Sequence, residues 1–238
     1  MESIVKDLPN IADYKDISHI PFYLAAILFV DVFVLFLTRY FPERVGGESL
    51  NDWYDNFGYE GVTADVFIIL IGYVIAQVLY TNFIQPRLGW QPALFILLAM
   101  VVQVIHDVFF YYAVILPIPK GHNSMIDTYK KYAEENGIAI IPGDSGLILF
   151  SGLFALLFAS IPIWITVMIT ILTVYALPYI LNTKRQGAYR FQAKAEVAVP
   201  ATQPKPQEQK EPIKVPLSPW DTMRGREVLS EPMASNTW

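Results

Sequence analysis

Cysteine is missing from all 238 residues, which excludes disulfides, thiolate metal sites and a cysteine nucleophile. Its absence says nothing about the redox compartment. Charge is scarce as well: Asp, Glu, Lys and Arg make up 16% of the chain, against roughly 25% in an average soluble domain. Long runs between Ile20 and Leu181 lack any Lys or Arg, while the last 57 residues hold 9 of the 17 basic side chains. With a net charge of −5, a pI of about 5.2 and no dense Lys/Arg stretch, a basic-patch nucleic-acid binder is excluded. Gly-x-Ser-x-Gly, a Walker loop, a phosphatase signature, internal repeats and an Asn-x-Ser/Thr sequon are all absent. What the chain does have is apolar surface. Residues of that class reach 54%, and the mean hydropathy is +0.37. Neither a soluble globule nor a wholly disordered chain fits that composition.

A bilayer core about 30 Å thick needs roughly 20 apolar residues per crossing helix. Ile20–Thr38, Val62–Tyr80, Pro92–Ile115 and Ile161–Leu181 meet that length. A fifth run, Ser145–Ser160, is short and is expected either to cross a thinned bilayer or to be re-entrant. Ser160-Ile161-Pro162 breaks it from the next run, because proline cannot continue a helix but suits the first turn of a new one. Ser145–Leu181 therefore reads as a tight transmembrane hairpin. The expected fold is all-α: a multi-pass bundle of about five spans over residues 20–181, with an N-terminal segment 1–19 and an extended Pro-rich tail 182–238.

Lys and Arg counts set the expected orientation. Five spans put nine basic residues on the side that carries Arg39, Lys130 and Lys184, and three on the other. The positive-inside bias then places the N-terminus outside and the C-terminus in the cytoplasm. Glu2, Asp7, Asp13 and Asp16 precede the first span, so a cationic signal region is missing and that span should be retained.

Outside the lipid, Phe41–Glu60 reads as an acidic, aromatic loop. In the third connection Asn123 or Ser124 begins a helix over residues 123–136, with Asp127 completing a Ser-x-x-Asp capping box and Gly137 ending it. Met125, Ile126, Tyr129 and Tyr132 share one side of it; Lys130, Lys131, Glu134 and Glu135 fall largely on the other. That is the pattern of a helix lying on a membrane or partner, or of an ordinary capped loop helix. The tail Ala195–Trp238 holds seven prolines and no apolar periodicity, so it cannot fold alone. Trp220, Leu229, Met233 and Trp238 are spaced along its end as partner-docking anchors on a flexible strand, or stand there without a role.

Ionisable groups inside a span are costly and face a bundle interior or a water path. Gln103, His106 and Asp107 stand at i, i+3 and i+4 and share a helix face with Tyr111. By depth, Asp31, Asp65, Asp107, Asp144 and His106 fall in the same half of the bilayer. They read either as a proton or cation path with His106 and Asp107 as relay, or as a hydrogen-bonded cluster that fixes helix register. His106-Asp107 also has the look of a dyad, but no second His or Glu sits at ligand spacing, so neither a metal centre nor an enzyme is expected. No cofactor is implied. Ser151, Ala155 and Ala159 form a small-residue stripe on the fourth span, and Thr166, Thr170 and Thr173 form one on the fifth. Both suit close packing within the hairpin.

Trp53-Tyr54 followed by Asp65 and Ile71-Gly72, then Gln103-x-x-His106-Asp107-x-x-Phe110-Tyr111, Pro119-Lys120-Gly121-x-Asn123, Gly143-Asp144-Ser145 and Pro178-Tyr179 make a recognisable series. It resembles a group of small multi-pass membrane proteins of nucleocytoplasmic large DNA viruses, including those that infect algae. The resemblance covers roughly Trp53–Leu181 and carries no catalytic residues with it. It implies a protein of the virion's internal membrane, in a host membrane before assembly. Its partners would be the bilayer and capsid or other minor capsid proteins, and not nucleic acid.

Overall fold

The computed structural model describes residues 8–41, 45 and 47–183. Every regular element among them is a helix, and five helices are long and apolar enough to cross a membrane. This is a multi-pass membrane protein. The long helices are α1 (Ile20–Tyr40), α2 (Gly47–Leu79), α3 (Pro92–Phe110), α4 (Ser124–Asn136), α5 (Ile140–Ser160) and α6 (Ile163–Leu181). The polar helix α4 lies between the third and fourth crossings. The tail anchors Trp220, Leu229, Met233 and Trp238 lie outside the described residues.

The bundle has two ends. Tyr23 at the start of α1 meets Gln77 near the end of α2 through the segment Leu8–Ala12, called here the strap. Arg39 at the end of α1 meets Asn51 and Asp55 at the start of α2 and the last carbonyl of α6, Leu181 O. The strap and residue 183 therefore lie at opposite ends, as five crossings require.

The α1 helix is the centre of the bundle. It packs on α5, α2 and α6, whereas α5 and α6 touch little beyond their connection. The expected α5–α6 hairpin is thus corrected: α5 takes α1 and α3 as its main neighbours. Its stripe serves those contacts, with Ser151 and Ala155 fully buried. Gly152 lets Tyr73 close in; a Cβ there would stand 2.9 Å from the phenol oxygen and 3.0 Å from Ile96 Cγ1. The Tyr73 hydroxyl donates to Ile148 O, tying α2 to α5. Of the threonine stripe, Thr166 reaches Phe158 O at 3.2 Å, while Thr170 and Thr173 bond back within α6.

Other boundaries move for local reasons. The expected loop Phe41–Glu60 is mostly helix, since α2 begins at Gly47 and bends at Gly58, where φ of 49° needs a residue without Cβ. Glu135 supplies the start, accepting from the Glu48 and Ser49 N–H groups at 3.1 and 2.9 Å, and Trp53 and Tyr54 are buried. The second crossing runs past Tyr80 through a π-turn, Tyr80–Ile84, and a short helix, Gln85–Leu88. The α5 helix starts at Ile140 rather than Ser145, because Pro142 sits in the first turn, where its missing N–H costs nothing. Its 21 residues reach about 31 Å at 1.5 Å each, a full crossing. The last span opens at Ile163, after the extended Ile161 and Pro162.

The α4 helix keeps its expected limits, ending at Gly137 with φ of 52°. The capping box does not form. Asn123 is the cap, accepting from Met125 N and Ile126 N at 2.9 and 3.1 Å, and Asp127 turns back to the Gly121 N–H. Its apolar side packs on α2, with Tyr129 against Trp53 at 4.8 Å between rings. Lys130, expected on the polar side, is buried and donates to Leu116 O and Ile118 O, capping the chain that leaves α3.

Candidate functional site

Four carboxylates from four helices occupy the half of the bundle nearest α4. Asp31 lies on α1, Asp65 on α2, Asp107 on α3 and Asp144 on α5. Asp31 is buried in the centre and accepts from the Tyr54 hydroxyl at 3.3 Å; its second oxygen bonds no described residue. Asp65 accepts from Trp53 Nε1 at 2.9 Å. The indole fits there because Gly61 has no side chain: a Cβ would lie 2.9 Å from that nitrogen. Phe57 and Tyr129 pack on the same ring.

On α3 the i, i+4 spacing acts as expected. Gln103 Nε2 donates to Asp107 Oδ1 at 2.6 Å, and His106 Nδ1 lies 3.2 Å from the same oxygen while its ring stacks on Phe110. Gln103 Oε1 is pressed toward Gly72, where a Cβ would approach it to 2.8 Å. Asp144 stands within electrostatic reach of Asp107 and of Asp65, and Asp65 within reach of Asp31. Tyr129 and Tyr132 of α4 face the same group of charges.

The six expected site residues thus sort into three hydrogen-bonded units that interact electrostatically: Asp31–Tyr54, Asp65–Trp53 and Gln103–His106–Asp107, with Asp144 between the last two. Among the described residues no three His, Asp or Glu side chains form a set of metal ligands. Only Asp31–Tyr54 bonds one helix to another, α1 to α2. Trp53–Asp65 spans the bend within α2, and the third unit lies within α3, so each unit gives its carboxylate a partner where lipid supplies none.

Around this group lies a polar platform that sequence reasoning missed. Arg39 is fully buried. Its guanidinium reaches Asp55 at 2.7 Å, Asn51 at 3.0 Å and Leu181 O at 3.3 Å, joining α1, α2 and the end of α6. Lys131 pairs with Asp52, and Lys120 with Glu134 at 3.3 Å. Arg39 ends an apolar run, where composition alone reads it as a flanking charge. The available signal was the acidic Asp52-x-x-Asp55 pattern beyond it, which offers a partner. Trp53 and Tyr54, read from sequence as part of an acidic, aromatic loop, are the partners of Asp65 and Asp31.

No family model, curated relative or solved structure matches the chain.

Proposed function

We propose that the protein is a structural anchor of a virion's internal membrane. In this reading it is a minor capsid component whose bundle sits in the bilayer and whose tail and loops tie that bilayer to the capsid shell. The observation that carries the reading is the Arg39 junction. It pins the end of α6 beside the start of α2, which Glu135 of α4 caps, so the described chain ends at the same end as the polar platform. A polar platform at the end where the tail sequence begins suits a tie between two layers. The viral resemblance of Trp53–Leu181 supplies the setting, and the basic bias of that end supports an orientation toward the capsid. Cross-linking of intact particles tests it: Trp220–Trp238 joined to a capsid or minor capsid protein is expected, and no such product removes the reading.

A second reading, a small cation or proton conduit, draws on the convergence of Asp31, Asp65, Asp107 and Asp144. Flux into liposomes decides it. Conductance lost in His106→Ala and Asp107→Asn supports a conduit; conductance absent or unchanged by them removes it.

A further inference from the structure

The strap has no regular secondary structure, yet Ile11 and Ala12 are fully buried. Irregular backbone at the margin of a bilayer is tolerated only where protein supplies its hydrogen bonds. Here the bundle supplies four neutral donors from the start of α1, the end of α2 with its π-turn, and the entry to α3. Trp90 Nε1 donates to Leu8 O at 3.1 Å. Tyr23 Oη and Gln77 Nε2 both donate to Ile11 O, at 2.9 and 2.7 Å. Thr81 Oγ1 donates to Ala12 O at 2.7 Å.

Each of these bonds ends on a main-chain carbonyl. The recognition is therefore of the carbonyls of a segment that turns at Ile11–Ala12, where Asn10 Oδ1 accepts from Ala12 N at 3.1 Å, and selectivity comes from the closed space around one medium and one small apolar side chain. Undocking would break these contacts and none of the helical hydrogen bonds. The connection to α1 is exposed and held by local turns, Lys15 N to Asp13 Oδ1 and Ser18 N to Asp16 Oδ1. A vacated site would present buried donors and an apolar cavity, a costly state that another copy of the segment relieves.

We propose that Tyr23, Gln77, Thr81 and Trp90 form a receptor site for a peptide that turns as Ile11–Ala12 does. Its ligand is the chain's own Leu8–Ala12, a separable latch that the same segment from a second copy can replace. This inference stands apart from the capsid reading, since the site lies at the end opposite Leu181 and Thr183.

The cysteine-free chain makes the test clean. Single variants Ala12→Cys and Lys15→Cys, in the full chain in nanodiscs, are reacted with a membrane-impermeant maleimide. The buried Ala12→Cys thiol is expected to react about 100-fold more slowly than the exposed Lys15→Cys thiol, because reaction waits for undocking. Excess synthetic peptide of residues 1–16 should raise the Ala12→Cys rate about tenfold by capturing opened sites. The same peptide carrying Ile11→Asp should not. Equal rates for the two variants overturn the proposal, and so does a rate indifferent to the peptide. Should Ala12→Cys lose its helical circular dichroism, binding of the fluorescent peptide is measured on a chain carrying Ile11→Asp. Saturable binding, abolished by Tyr23→Phe with Gln77→Leu, supports the site; its absence overturns it.

Discussion

The two ends of the bundle solve one problem by different chemistry. Both hold main-chain groups that no regular ladder satisfies. At the strap end the partners are neutral: Tyr23, Gln77, Thr81, Trp90, and Tyr80, whose hydroxyl donates to Gly89 O at 3.0 Å and accepts from Gln91 N at 2.8 Å. At the tail end they are charged: Arg39 on Leu181 O, Lys130 on Leu116 O and Ile118 O, Glu135 on two N–H groups. Neutral donors act over short range and ignore salt and pH. Ionic partners also favour the helix ends electrostatically, cations at C-termini and carboxylates at N-termini, but they answer to titration and screening. The buried contacts of one end are therefore insensitive to their surroundings and those of the other are not; the exposed Asp13 and Asp16 turns that lead into α1 stand outside the contrast.

Breaking the ionic end at its centre should have the largest effect. Arg39→Ala removes the partner of Asp55, Asn51 and Leu181 O at once and leaves a buried gap. A loss of about 3 kcal/mol is expected, below the top of the range for buried pairs because Asp55 is itself half exposed. Thermal unfolding in nanodiscs measures it, and a loss under about 1 kcal/mol would show that the junction is ornamental.

Between the ends, Gly152→Ala should cost about 2 kcal/mol by forcing Tyr73 and Ile96 apart, whereas Gly146→Ala, with open space around it, should change little. Equal melting temperatures for the two variants would refute the close approach of α2 to α5. At the neutral end, Tyr80→Phe deletes one hydroxyl that serves two backbone groups, so about 1–2 kcal/mol is expected. That loss should be the same in low and high salt. A salt-dependent loss would erase the contrast drawn above.

The smallest effect is one of pH. The Glu135 carboxyl is held below its ordinary value of 4.5, first by the Ser49 side chain and then by the backbone N–H groups it caps. A depressed carboxylate contributes stability that is present above pH 4.5 and lost as pH falls through its lowered value. Proteolysis near Gly137 should therefore accelerate only below about pH 4.5, and Glu135→Gln should remove that step. A step that persists in Glu135→Gln would assign it to another group.

Much of this could be read from residue order, and the exceptions share a cause. The limits of α4 were legible because Asn123 and Gly137 act within one turn of themselves. The Gln103–Asp107 bond was legible because i and i+4 meet on any helix. The start of α2 was not, since its cap is Glu135, far along the chain. Lys130 was misplaced because a heptad projection counts faces and does not see the loose carbonyls after α3. The strap left no pattern at all: Leu8–Ala12 shows neither periodicity nor a turn motif that predicts burial, and its four donors are spread over α1, α2 and the entry to α3.

Sequence by itself determined the number of crossings, the helical class, and the gathering of the intramembrane acids in one half. Each follows from a local quantity, the cost of placing a given residue at a given depth in hydrocarbon. Only the tertiary structure decided that α1 is central, that Asp31 answers to Tyr54 and Asp65 to Trp53, and that Leu8–Ala12 packs against α1, α2 and the entry to α3. Those choices depend on which surfaces fit at contact distance, and lipid, as apolar as the side chains it touches, imposes no preference among helix pairings.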